Sequence, residues 1–233
     1  MTGPSLSAGQ PADERTTPAE QAWAGTAVYT PASLKIYDFL VLWLSNRSLW
    51  GCPTRELLAL YDDNVSGNHL DVGVATGFFL DRCRFPVAKP RLGLLDLNPT
   101  CLEAAARRVA RYAPQSYCAN VLEPIAIDAP PFQSISITYL LHCLPGPMAR
   151  KAAAFRHLKP YLAPGGVLFG ATILGRGVPH NALGRKVMAL YESKGIFGNA
   201  EDDEAGLRAA LSDQFSEVAL RLRGRVAIFT ARG

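Results

Sequence analysis

Two aspartates, Asp71 and Asp96, stand 25 residues apart, each closing an apolar run. The first run, His69-Leu70-Asp71-Val72-Gly73-Val74-Ala75-Thr76-Gly77, spaces its glycines Gly73-x-x-x-Gly77. It reads as a buried strand that turns sharply into a helix. Gly73 and Gly77 can take backbone angles that side chains forbid, and they let a ligand approach the main chain. Ala75 between them is nearly as small. A helix opening near Phe78 presents free N–H groups and the positive end of its dipole. The spacing is not the G-x-G-x-x-G dinucleotide pattern, and no Gly-Lys-Ser/Thr follows to make a P-loop. The second run is Arg91-Leu92-Gly93-Leu94-Leu95-Asp96-Leu97-Asn98-Pro99. A carboxylate about 20 residues beyond such a glycine turn reaches a ribose. Asn98 and Pro99 serve better as N-cap and first helical residue, which leaves Asp96 for the sugar hydroxyls.

The elements that must position these residues follow from periodicity. Pro53-Thr54 starts a helix through Leu57, Leu58 and Tyr61. Strands are predicted at 69–73, 91–96, 116–120 and 134–140, with helices at 77–83 and 99–112 between the first three. A single helix is expected over 147–162, a Pro164-Gly165-Gly166 turn, and a strand at 167–173. This alternation predicts an α/β fold, a Rossmann-like doubly wound, mostly parallel sheet. Helices follow at 181–191 and 202–211. Two β-rich runs, 217–222 and 225–230, joined by Arg223-Gly224, suggest a hairpin and hence an antiparallel terminal strand.

Ahead of that unit, residues 1–24 lack periodicity and read as a disordered tail. Residues 25–67 read as an N-terminal helical segment, with Leu34, Tyr37, Leu40, Val41 and Leu44 at helical spacing and several aromatics. It is either a helix packed on the domain or a lid over a ligand, and the two are compatible. The 233-residue chain is long enough for one sizeable core. A net charge of +4 is too mild to argue for nucleic acid. Five cysteines without metal-ligand spacing read as reduced thiols of a cytoplasmic protein, and no metal site is expected. No apolar stretch is long enough to span a membrane.

Taken together, the landmarks resemble a class I S-adenosylmethionine (SAM)-dependent methyltransferase over about residues 29–232. Asp71 to Gly77 is similar to that family's glycine-rich motif, with Ala75 in place of a glycine. Asp96 matches the acid that holds the ribose. Ala119-Asn120-Val121-Leu122-Glu123 matches the segment edging the adenine, with Asn120 where Asp is usual. Tyr139-Leu140-Leu141-His142-Cys143-Leu144-Pro145 resembles the segment facing the reacting sulfonium. Leu158 to Leu168 resembles the helix, Pro-Gly-Gly turn and fifth strand.

The resemblance implies residues 68–233 as the SAM-binding domain, with Asp71, Gly73, Ala75, Gly77, Asp96, Leu97, Asn120, Val121 and Tyr139 around the cofactor. It implies methyl transfer to a small molecule, in secondary metabolism, by a monomer or homodimer. Transfer is an in-line displacement, so the protein mainly positions two reactants and excludes water. Aromatic faces would stabilise the sulfonium, and Tyr139, Tyr29 and Tyr37 are the candidates. His142, just past the fourth strand, is the candidate base for a hydroxyl or acidic-carbon acceptor, or else an ordinary buried histidine. His180 and Asn181 lie at the same edge; His69 reads as structural. An alternative with the same fold is a SAM-cyclising lyase of the azetidine-2-carboxylate synthase type, which releases methylthioadenosine.

Overall fold

The computed structural model describes Asn46 and residues 49–233. A seven-stranded sheet runs through the molecule in the order β3-β2-β1-β4-β5-β7-β6. Its strands are β1 (Asn68–Val72), β2 (Arg91–Asp96), β3 (Gln115–Cys118), β4 (Phe132–Thr138), β5 (Leu162–Ile173), β6 (Glu217–Arg223) and β7 (Val226–Arg232). The first five are parallel. β7 pairs antiparallel with both β5 and β6, so the expected terminal hairpin is present. Strand order reverses beside β1, where β2 lies on one side and β4 on the other. Such switch points open a crevice at the carboxyl ends of the strands.

Alternation of side chains along each strand divides the core into two layers. Leu92, Leu94, Phe169, Ala171 and Ile228 face one layer, with Leu57 and Tyr61 of α1 (Thr54–Asn64), Leu80 of α2 (Phe78–Arg82) and Ala105 of α3 (Pro99–Arg108). Leu70, Leu95, Ile135, Leu168 and Phe229 face the other. There they meet Met148 of α4 (Met148–Lys151), Phe155 of α5 (Ala153–Leu158) and Leu207 of α7 (Glu204–Ser212). The remaining helix, α6 (Ala182–Ser193), gives Met188 to the first layer. Each fully buried Leu or Phe contributes about 1.5–3 kcal/mol.

Three local expectations shift. The helix expected over 147–162 divides into α4, α5 and a 3₁₀ turn at Lys159–Tyr161, where Pro160 lacks the N–H that a continuous helix needs. Pro164-Gly165-Gly166 lies inside β5, which pairs Phe132 with Leu162 and then resumes at Ser134 with Val167. The skipped residues form an irregularity, not a turn. The helix expected from 202 starts at Glu204, because the Asp203 side chain caps it by accepting the Gly206 N–H at 2.8 Å. Tyr29, Tyr37 and the aromatic helix expected ahead of residue 46 lie outside the described residues.

Candidate active site

Asp71 is the last-but-one residue of β1 and is buried. It accepts the Tyr61 hydroxyl at 2.8 Å and a short hydrogen bond from the Ser136 hydroxyl on β4. Burial raises its pKa to about 6, with those two donors working against the rise. Beyond it the chain turns through Gly73 and Ala75, at φ +75° and +45°. A side chain on Gly73 would be strained by that angle and would meet the Leu140 side chain at about 3.0 Å. Gly77, at φ +71°, precedes α2, and a side chain there would press on Ala105 of α3.

Asp96 ends β2 half-buried. Its Oδ1 accepts the Asn98 N–H at 2.9 Å, and Asn98 in turn caps α3 by accepting the Thr100 N–H at 2.9 Å. The capping role expected of Asn98 is therefore present. Burial lifts the Asp96 pKa to about 6, opposed by the N–H groups of Asn98, Ala75, Val74 and Leu97. The carboxylate thus sits against the backbone of the glycine turn.

One cavity unites these groups. Asp71, Gly73, Ala75, Asp96, Leu97, Asn120, Val121 and Tyr139 all line it. Gly77 does not, and its role in the structure is to let α2 pack closely on α3. Asn120 uses Oδ1 to accept the Leu122 N–H at 3.0 Å; a carbonyl oxygen has a second lone pair for an adenine amine. Tyr139, the first residue past β4, is held at φ +61° while its N–H still joins the sheet through Ala171 O at 2.8 Å.

His142 lies in the 3₁₀ turn Leu141–Cys143, buried, and it does not line the cavity. Burial, and then the nearby Lys151 charge, lower its pKa to about 3. His180 gives Nε2–H to Leu174 O at 2.9 Å, and Asn181 caps α6 through Gly184 N–H at 2.6 Å. His69 bridges Ser134 and Ser136 at 2.8 and 3.0 Å, and burial takes its pKa to about 3, which fits a structural part. Among the described residues no cluster has the composition of a metal site. None of the five cysteines forms a disulfide; Cys118 is exposed and Cys143 is half-buried at the cavity.

Sequence reasoning missed Tyr61, Phe78, Phe79, Cys101 and Thr138, which also line the cavity. Phe78 and Phe79 directly follow the glycine turn, so proximity was a usable signal. Tyr61 stacks on Phe79 with ring centroids 5.0 Å apart, a contact that no spacing reveals.

Residues 70–168 match a family model described as a methyltransferase domain. The chain is 40% identical over 212 residues to a demethylluteothin O-methyltransferase of Streptomyces thioluteus, covering 91% of this chain and 92% of that one. It is also 40% identical over 217 residues to a physcion biosynthesis cluster O-methyltransferase of Aspergillus chevalieri, covering 92% and 96%. Among solved structures, a complex of DhpI with S-adenosylhomocysteine superposes with a TM-score of 0.62 at 15% identity, over 92% of this chain and 95% of that one, and so shares the fold. With the switch-point cavity, the two carboxylates and the glycine turn in place, these relatives establish that the chain belongs to the class I SAM-dependent methyltransferases.

Proposed function

We propose that this methyltransferase acts on a hydroxyl oxygen of a small secondary metabolite. The carrying observation is the single cavity that brings Asp71, Asp96, the Gly73 turn and Tyr139 together. Asp96 accepts from the ribose hydroxyls. Asn120 and Val121 edge the adenine. Asp71 gives the methionyl end a negative surrounding, and Tyr139 faces the sulfonium. SAM supplies an electron-poor methyl group on that sulfonium. The chain's own contribution is to bind, orient and keep water out. The two O-methyltransferases described above support oxygen as the acceptor atom.

The partner is a small molecule, not nucleic acid. The enzyme works as a monomer or homodimer in the cytoplasm; no described helix is long and apolar enough to cross a membrane.

The test is a panel of small phenols, enols and amines incubated with methyl-labelled SAM. Label on the oxygen of a phenol or enol is expected. Label confined to nitrogen would overturn the choice of acceptor atom.

A further inference from the structure

We propose that His142 is a positioning residue for Tyr139 and not the proton acceptor of the methyl transfer. The inference rests on the methyltransferase reading of the cavity. Nδ1 of His142 accepts the Ile173 N–H at 3.4 Å and lies 3.4 Å from the Thr172 hydroxyl. A main-chain N–H can only donate, so Nδ1 is the acceptor and the neutral ring carries its proton on Nε2. The His142 carbonyl is also held, by the Gly198 N–H at 2.9 Å.

The ring is wedged between two aromatics, edge-to-face with Phe197 at 4.7 Å and with Tyr139 at 5.4 Å. Of the three, Tyr139 reaches the cavity. Its φ of +61° is uncommon for so large a side chain and persists only where the surroundings fix it. His142 is part of that fixing.

The far side is fastened as well. Lys151 of α4 donates to Gly198 O at 2.8 Å and to Asp202 at 2.5 Å, which anchors the loop carrying Phe197. Around the imidazole stand Lys151 from α4, Tyr139 just past β4, Cys143 from its own turn, and the neutral Thr172 from β5. The cation in this set opposes a second proton on the ring. A phenol or enol acceptor that enters as its anion, with its proton left in bulk solution, needs no base at His142. Its oxygen then forms the C–O bond as the C–S bond breaks, and the electron pair passes to sulfur, leaving S-adenosylhomocysteine.

The test uses the whole chain and no acceptor. Nitrogen NMR of the His142 ring, assigned by its loss in His142→Phe, is followed with pH. In parallel, calorimetry measures S-adenosylhomocysteine binding to wild type, His142→Phe and His142→Ala. Expected are an Nε2–H ring with no titration between about pH 5.5 and 8, binding within about threefold in the Phe variant, and a loss of about tenfold or more in the Ala variant. A midpoint near the ordinary histidine value of about 6.5, a proton on Nδ1, or equal damage from Phe and Ala would overturn the proposal. The ring is read without ligand, so a failure of the cofactor assignment, seen as no S-adenosylhomocysteine binding by wild type, is told apart. If His142→Ala does not fold, the wild-type titration and the Phe variant still decide.

Discussion

Asp71 and Asp202 are both buried carboxylates, and they are satisfied in opposite ways. Asp202 meets Lys151 at 2.5 Å, both side chains fully buried, so the pair is neutral as a unit. Asp71 has only neutral donors, Tyr61 and Ser136, and no cation pairs with it among the described residues. Both pKa values are raised, with burial as the first cause. An unpaired buried anion is costly and is expected where a ligand will complete it. Asp71 lines the cavity and Asp202 does not. The unneutralised carboxylate thus faces the cavity, while the Lys151 and Asp202 charges cancel one another away from it.

The largest effect should come from the neutral pair. Lys151→Met leaves Asp202 buried and uncompensated, and should cost about 3–5 kcal/mol in urea unfolding. Lys151→Met combined with Asp202→Leu should recover most of it. A loss under about 1 kcal/mol in the single variant would mean that the charges are not coupled as described.

On the cofactor side, Asp96→Ala should leave the fold intact and weaken S-adenosylhomocysteine by about 1.5–3 kcal/mol for each hydrogen bond to a charged acceptor. That is roughly tenfold or more in calorimetry. Unchanged affinity would remove Asp96 from the ribose.

Asp71→Asn sharpens the contrast through pH. In the folded chain Asp71 keeps its proton up to about 6, against an ordinary value of 3.8. Between those values the native state binds more protons than the unfolded chain, so the residue's contribution to stability falls as pH rises through 6. The Asn variant lacks this slope. Relative to wild type it should gain on the order of 2 kcal/mol between about pH 4 and pH 7. Cofactor affinity of wild type should rise over the same range, as the carboxylate forms, and that of Asp71→Asn should not. Parallel curves for the two proteins would show that Asp71 is not the titrating anion.

The smallest effect belongs to Asp81, which holds Arg108 and Arg111 at 3.3 and 2.7 Å on the outer side of α2. Asp81→Ala should cost about 1 kcal/mol of stability and leave S-adenosylhomocysteine affinity as in wild type. A drop in affinity matching that of Asp96→Ala would erase the distinction between scaffold and site carboxylates.

The glycine turn and its two acids were readable in sequence because their elements are local. Strand, glycine turn, helix and second strand follow within the stretch from Asn68 to Asp96, and their spacing alone places two acids at adjacent strand ends. The terminal hairpin was equally local. What was not readable joins distant residues. Tyr61 reaches Asp71 because α1 packs over β1. Lys151 and Asp202 are 51 positions apart, with β5 and α6 between them. The environment of His142 depends on Ile173 from β5 and Phe197 from a later loop, so its depressed pKa could not be anticipated from a histidine after a strand. The break of the 147–162 helix was signalled at Pro160, but the earlier join at Ala152 has no breaker residue. Helix periodicity continues across it, and nothing in the residue types marks it.

The most direct measurement is nucleoside analysis after incubating the chain with SAM, first alone and then with an acceptor identified from the phenol and enol panel. The account predicts no consumption without acceptor, and S-adenosylhomocysteine in equal amount to methylated product with it. Methylthioadenosine released from SAM alone would contradict methyl transfer and identify the ring-closing lyase reaction instead.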